Sequence, residues 1–315
     1  MPDRLTVAVL GNHGESYSTE SELTWTLEHL GHCVLRFQEN RDKTEDIYRT
    51  CKRERVALLL YVHTHGWTTP GDLSVRRLFK KLRNRNIKTA SFHLDLYWGL
   101  NVLDARQDRV GGHAFWKTDY VFTADGGHQQ EFASRGVNHF WLPAAVVERG
   151  CFRGNAKPEL VTDVAFVGAR DYHPEYPFRG ELIRWLEATY GQRFRRFNGD
   201  TTGVFREQQL NDLYASVKVV VGDSCFAGIP RYWSDRVPET LGRGGFLIHP
   251  TVEGLDIPGL VTYRPRDLDD LRSKIDHFLA NDQERRAHSE RAFEAVRQHH
   301  TYTNRVKTLL EIVKL

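Results

Sequence analysis

Long apolar runs are absent from this sequence. No stretch approaches the roughly 18 residues of a membrane-spanning helix, and the opening run LTVAVLG at 5–11 is too short for the core of a secretory leader. Cysteine is scarce. Cys33, Cys51, Cys151 and Cys225 are far apart and form no C-x-x-C pair, so neither a disulfide framework nor a zinc site is indicated, and a reducing cytoplasm is the expected location. There is little net charge. With 44 basic against 41 acidic residues, the balance of +3 argues by itself for no nucleic-acid partner. A G-x-G-x-x-G fingerprint is also missing. The chain reads GNHGES after its first apolar run, which disfavours a dinucleotide-dependent dehydrogenase. No internal repeat or low-complexity tract is present.

What is there is an ordinary globular composition. The 315 residues, 40% hydrophobic and 11% aromatic, suffice for two cores of roughly 150 residues each. Short runs rich in Val, Ile and Leu recur at 5–11, 32–37, 56–64, 87–95 and 119–125, separated by helix-length amphipathic segments. That spacing predicts buried strands of a parallel sheet with crossover helices, a Rossmann-like half. Thr19 with Glu22 reads as the capping box of the first helix, ending at Gly31. The polar stretch Glu148–Pro158 reads as a linker, after which the alternation resumes at 161–170, 193–199, 217–223, 245–250 and 260–265. The expected domains are 1–150, 151–300, and a last helix at 301–315. In two such domains, ligands are expected in the cleft where strand C-termini meet.

One stretch concentrates special residues: SDRVPETLGRGGFLIHP at 234–250. Pro238 favours a helix start, which puts Ser234 and Asp235 before the helix and Glu239 in its first turns. Amides at such an N-terminus attract phosphate, and a carboxylate there can accept the two hydroxyls of a ribose. Gly242, Gly244 and Gly245 would then let a ligand approach closely. Taken alone, these residues are better explained as a capped helix with a glycine C-cap.

This stretch, followed by EGL at 253–255, DLDDLRSKIDHFLAND at 267–282 and ERRAHSERAFEAVRQHHTYTNRV at 284–306, resembles the C-terminal half of CgeB-like glycosyltransferases of the GT-B fold, with a glycosyltransferase family 1/4-like C-terminal domain. The resemblance covers roughly 160–310 well. It is weaker in the N-terminal half, where LGHCV at 30–34 matches an LGHxV turn. It implies an α/β protein with two facing Rossmann-like domains, a nucleotide sugar held mainly by the second, and a C-terminal segment crossing back to the first. Glu239 matches the carboxylate that commonly holds the donor ribose. An E-x7-E pattern is broken, because Arg231 stands where the earlier Glu would be. The stereochemical class is therefore open.

The remaining donor candidates sit where strands end. Gly168 and Arg170 close one apolar run, with Arg179 at the next helix, and their amides and guanidinium groups suit a diphosphate leaving group. Arg236 suits the diphosphate or sugar. Asp223 and Ser224 end another run, with Tyr232 and Trp233 as candidates to pack beside base or sugar. Asp267 and Asp269 spell D-x-D but begin a helix, where acids offset the macrodipole, so no metal site is assigned.

In the first half, Asn12 and His13, His63 and His65, and His93 and Asp95 end three successive runs. Asp95 is the first candidate for the base that deprotonates an acceptor, then His93 or His13. Asn12, His63 and His65 are candidate acceptor contacts. Residues 74–88 carry seven cations and no acid, with Val75, Leu78, Phe79 and Leu82 on one helical face. Arg76 and Lys80 would suit a polyanionic acceptor. The sequence thus points to a glycosyltransferase without a cofactor, using a nucleotide-diphosphate sugar, UDP-sugar first, and a hydroxyl acceptor. DNA bearing hydroxymethylpyrimidines is the preferred single acceptor, and polysaccharide, protein and small molecules stay open. A nucleotide-sugar epimerase and a non-catalytic nucleotide-sugar or nucleic-acid binding protein are the alternatives.

Overall fold

The computed structural model describes residues 4–63, 67–94, 96–97, 110–168, 176–197, 204–224 and 229–315. His65, Asp95 and Arg170 lie outside the described residues. The chain forms two compact units. The first is built from the described residues of Met1–Trp98, Asp104–Pro143 and Tyr302–Leu315, the second from those of Ala144–Thr301.

In unit 1, strands β1 (Thr6–Gly11), β2 (Cys33–Gln38), β3 (Leu58–Val62), β4 (Lys88–His93), β5 (Tyr120–Thr123) and β6 (His139–Trp141) form one sheet in the order β2-β1-β3-β4-β5-β6. Every neighbouring pair is parallel. Helices α1 (Thr19–His29), α2 (Thr44–Arg53), α3 (Val75–Arg83) and α4 (Gln129–Ser134) make the crossovers among the described residues. Ala8, Leu10, Leu59 and Tyr61 meet Ile47, Leu78, Phe79 and Leu82 across one face. All five residues of β3 are buried, as a strand covered on both faces requires. The cap of α1 stands one residue earlier than the sequence suggests. Ser18, not Thr19, accepts from the Ser21 amide at 3.1 Å, because its extended backbone lets the hydroxyl turn onto the helix.

The last helix, Tyr302–Ile312, packs against α1 in this unit. Arg305 ties it down by donating from Nε to the Pro143 carbonyl at 2.8 Å. Burial lowers that guanidinium to about 10. Lys88 Nζ donates to the Lys314 carbonyl at 2.9 Å.

Unit 2 repeats the scheme. Strands β7 (Thr162–Val167), β8 (Phe194–Phe197), β9 (Val217–Val221), β10 (Leu247–Pro250) and β11 (Val261–Tyr263) pair in parallel in the order β11-β10-β9-β7-β8. Helices α5 (Arg179–Tyr190), α6 (Glu207–Ser216), α7 (Arg236–Gly242), α8 (Leu268–Ala280) and α9 (Asp282–His299) accompany them. Asp267 caps α8, its Oδ1 accepting from the Asp270 amide at 2.9 Å. This is the helix-start role read for the D-x-D spelling.

The expected linker is folded into unit 2. Gly154 lies so close to α6 that a Cβ there would stand 2.2 Å from the Asn211 carbonyl carbon. Asn155 N donates to Asp212 Oδ1 and Lys157 N to Ser216 Oγ, both at 2.8 Å. Among the described residues no helix is long and apolar enough to cross a membrane.

In each sheet the unit's first strand lies between its second and third. The loops that leave β1 and β3, and those that leave β7 and β9, therefore part to opposite sides, and strand C-termini at such a switch point are where open α/β sheets bind ligands.

Candidate active site

Unit 2 places a buried ion cluster at its switch point. Asp223, just past β9, is 2% exposed. It accepts from Arg179 Nε on Oδ2 at 2.5 Å and from Arg236 Nη1 on Oδ1. Arg236 also donates from Nε to the Val167 carbonyl at 3.0 Å and lies 4.9 Å from the Phe166 ring centroid. Arg179 stacks at 3.9 Å on Tyr176. Burial pushes the Asp223 carboxyl up, but Arg236 and Arg179 outweigh it and hold it below the usual carboxylate range. For Arg236, burial lowers the guanidinium and Asp223 raises it, with a net upward balance.

Two guanidinium groups on one carboxylate leave a fixed positive charge. The Arg236 side chain is 12% exposed against 3% for Asp223 and 4% for Arg179, so Arg236 is the member that reaches outward. Asp223 sits behind the arginines and positions them. Gly168 follows β7 with φ +144°, and a Cβ there would stand 2.8 Å from Arg236 Nη2. Glycine here keeps the guanidinium in place.

Helix α7 carries the second feature. Glu239 Oε2 accepts from Arg243 Nε at 2.7 Å, one turn on. Arg243 also reaches Asn211 Oδ1, and Asn211 Nδ2 donates to the carbonyls of Gly150 at 3.1 Å and Phe152 at 2.7 Å. Burial raises the Glu239 carboxyl and Arg243 pulls it down, with a net upward balance. Glu239 Oε1 has no partner among the described residues, and the side chain keeps 18% exposure. Ser234 Oγ is buried and has no partner among the described residues. Both oxygens can serve a ligand. Asp235 is the N-cap of α7 and makes no side-chain cap bond.

The glycines at and after the end of α7 admit protein, contrary to the expectation that they admit a ligand. A Cβ on Gly242 would meet Val146 Cγ1 at 2.8 Å, and one on Gly245 would meet Thr240 Cγ2 at 2.8 Å. Tyr232 and Trp233 are buried, and Ser224 follows Asp223 half-buried.

Unit 1 brings polar groups to the ends of β1, β2 and β3. His63 follows β3, Tyr61 is in it, and Glu39 follows β2, where its amide donates to the Gly11 carbonyl at 2.9 Å. Glu39 is fully buried. Its Oε1 accepts from Tyr61 Oη at 2.7 Å and from His63 Nδ1. Burial and the Glu39 charge push the Tyr61 hydroxyl far up, so Tyr61 stays a donor. His113 stacks on His63 at 4.9 Å and 19°. Its own imidazole is lowered by burial, then by His63 and Arg76. Sequence reading missed Glu39, although a lone acid one residue past an apolar strand is the signal that could have found it.

The other sequence candidates are placed differently. His13 Nε2 bonds the Val9 carbonyl at 3.1 Å, its Nδ1 is buried without a partner among the described residues, and burial lowers the ring. His93 is buried edge-on to Tyr97 at 5.3 Å and Phe115 at 5.6 Å. Asn12 Oδ1 accepts from the Gly14 amide at 3.0 Å, closing the β1–α1 loop. On α3, Leu78, Phe79 and Leu82 are buried as expected. Several cations of this segment have partners: Arg76 on the Gly112 carbonyl, Arg83 on Asp119 at 3.3 Å, Lys81 over Tyr48 at 5.1 Å. Arg77 and Lys80 have no side-chain partner among the described residues and face solvent. Among the described residues no cluster of His, Cys, Asp and Glu could hold a metal ion.

Residues 162–311 match the glycosyl transferase-like family. No curated protein matches the chain. Among solved structures, sucrose-phosphate synthase from Thermosynechococcus elongatus superposes with TM-score 0.64 at 11% identity, over 99% of this chain and 98% of that one. An α-glucosyltransferase in complex with UDP-glucose and DNA containing an abasic site gives 0.64 at 10%, over 99% and 100%. Anabaena Alr3699/HepE in complex with UDP and glucose gives 0.61 at 10%, over 99% and 100%. The chain has the GT-B fold, with two Rossmann-like units and a glycosyltransferase-like domain in the second.

Proposed function

We propose that the chain is a glycosyltransferase that moves a sugar from a UDP-sugar to a hydroxyl acceptor. The observation that carries this reading is the arginine pair Arg179 and Arg236 locked on Asp223 at the ends of β7 and β9, inside the segment that matches the glycosyl transferase-like family. As the sugar–phosphate bond breaks, negative charge grows on the diphosphate. A guanidinium already held by a buried carboxylate meets that charge without reorganising. Arg236 carries this role, with Asp223 and Arg179 fixing it. Glu239 Oε1 accepts the ribose hydroxyls and Ser234 Oγ is available beside it in sequence.

The uridine donor is supported by the UDP and UDP-glucose complexes among structures of this fold. DNA bearing hydroxymethylpyrimidines remains the favoured acceptor, supported by the solvent-facing Arg77 and Lys80 and by the DNA complex of one neighbour. A panel of nucleoside diphosphates in thermal-shift assays tests the donor site. Ligand at about 100 times its dissociation constant stabilises by roughly 2.7 kcal/mol. A shift with UDP alone is expected, and no shift with any diphosphate would overturn the reading. Product analysis then separates transfer, which consumes an acceptor, from epimerisation, which does not. Transfer should persist in EDTA, because guanidinium groups carry the leaving-group charge. Charge reversal of Arg77 and Lys80 should abolish duplex-DNA binding and leave the melting temperature unchanged.

A further inference from the structure

Resting on the duplex-acceptor reading, we infer that the outer side of α2 and α3, centred on Tyr48, is a second contact surface for DNA, which holds the phosphate backbone of a duplex without reading its sequence. The two helices pack against each other in unit 1 and turn Ile47, Leu78, Phe79 and Leu82 into its core. Their outer sides carry cations. Lys81 Nζ lies 5.1 Å over the Tyr48 ring, Arg85 bonds the Tyr48 hydroxyl, and Lys52 stands one turn along α2 from Tyr48. Lys52, Lys81 and Arg85 are exposed, and none of them has an acid partner among the described residues. Arg77, one turn before Lys81 on α3, extends the line.

The acids nearby are engaged elsewhere. Asp46 is held by Arg49, Glu54 by Arg53 at 2.7 Å, Asp119 by Arg83 at 3.3 Å, and Glu45 by the Leu73 amide at 2.6 Å. The Tyr48 hydroxyl registers the resulting field: the Arg85 hydrogen bond lowers it against the effect of burial, and the charges of Arg85, Lys52 and Lys81 add to the lowering. Negative charge is favoured there.

The place of this surface in the fold gives it a holding role. α2 ends before β3 begins and α3 ends before β4 begins, so Lys52 and Arg85 stand toward the edge of the sheet where strands start. Ligands of open α/β sheets bind at the opposite edge, where strands end.

Helix dipoles explain only part of the pattern. Cations in a last turn offset the macrodipole, which accounts for one or two of them on each helix. It does not account for Arg85, which lies beyond α3, or for cations from two helices converging on one phenol, whose mutual repulsion costs free energy until a counter-charge arrives. A membrane surface fits less well, because an interfacial helix sinks an apolar face into the lipid. The large apolar side chains exposed among the described residues are Tyr17, Phe152, Val161 and Val204, and none is on α2 or α3. A protein partner would need aromatic or apolar anchors, and Lys81 covers the Tyr48 ring. A phosphate backbone asks only for exposed cations.

The test is the salt dependence of duplex binding by the full chain, read by fluorescence anisotropy. The logarithm of the association constant falls against the logarithm of salt concentration with a slope of about −0.9 for each phosphate held. Neutralising Lys52→Gln, Lys81→Gln and Arg85→Gln together should make that slope shallower by about 2–3 and weaken binding at low salt by roughly tenfold or more, equally for plain and hydroxymethylated duplexes and with Tm unchanged. Arg264→Gln, Arg272→Gln and Arg286→Gln remove the same charge from exposed sites of unit 2, where each cation pairs with an acid, and should leave the slope as it is.

A slope that stays within about 0.5 of wild type in the first triple variant, or that falls equally in the second, overturns the surface and leaves duplex binding through Arg77 and Lys80 standing. Phosphatidylserine vesicles that bind the wild type more tightly than duplex does, at equal phosphate concentration, overturn the choice of DNA. A wild-type chain that binds no duplex overturns this surface and the DNA acceptor together, while the UDP site is judged separately by its thermal shift.

Discussion

Arg243 reaches back one helical turn to Glu239, Nε to Oε2 at 2.7 Å, while its Nη1 bonds Asn211. One buried guanidinium thus connects the proposed ribose carboxylate to α6 and, through Asn211, to the backbone of residues 150–152. Arg243→Met should leave Glu239 as an uncompensated buried charge and cost about 3–5 kcal/mol in urea unfolding. Glu239→Gln keeps a partner for Arg243. It should unfold close to wild type while its affinity for the donor nucleotide falls roughly tenfold, read by calorimetric titration.

Asp223 gives an acid-stability signature. Its folded carboxyl is held below the ordinary range by Arg236 and Arg179. Its contribution is therefore present above the unfolded carboxylate value of about 3.9 and is lost as pH falls below it toward the folded value. Asp223→Ala should cost about 3–5 kcal/mol at neutral pH by removing the buried counter-charge of Arg179 and Arg236. It should also lack that acid loss. Melts from pH 7 to pH 2 of both proteins check the difference, and parallel curves would contradict the pairing.

His249 acts with the same sign over a higher window. It is fully buried, Nδ1 bonds the Pro250 carbonyl at 2.8 Å, and burial lowers the ring from 6.5 to about 4. The unfolded chain takes up a proton there before the folded one does. Stability should fall as pH drops from about 6.5 to about 4, by roughly 3 kcal/mol, and level off below. His139, lowered by burial to about 3, extends the same slope. His249→Leu should flatten the upper part of the curve in chemical denaturation at fixed pH steps.

Gly154 is a packing constraint of the simplest kind. Backbone atoms of Asn211 and Asp212 occupy the place of a Cβ, at 2.2 and 2.3 Å. Backbone cannot swing aside like a side-chain end, so Gly154→Ala should cost about 2–3 kcal/mol or more. Hydrogen exchange should rise over residues 148–158 while β1 to β4 stay protected.

The sequence by itself determined most of the architecture. Strands buried on both faces must be nearly all apolar, so LTVAVLG, VALLLYVHT and VKVVVGD announced β1, β3 and β9, and the alternation with helix-length segments announced two parallel α/β units. It also announced the acid cap of α8 and the buried face of α3, both local matters of spacing. The three-residue β6 was not legible, because so short a strand is made by its pairing with β5.

Tertiary structure alone decided which polar residues face a ligand and which face each other. Asp223, Arg179 and Arg236 come from three separate elements, and only the fold makes Asp223 a support for the arginines. The glycines after α7 read as openings for a ligand, yet Val146, Val296 and Tyr214 fill that space. Glu39 and His63 are 24 residues apart in sequence, and nothing local joins them. They meet because β1 holds β2 on one side and β3 on the other. Local propensity acts over a few residues, whereas burial and pairing of charge act through space, and a functional site is made of the second kind.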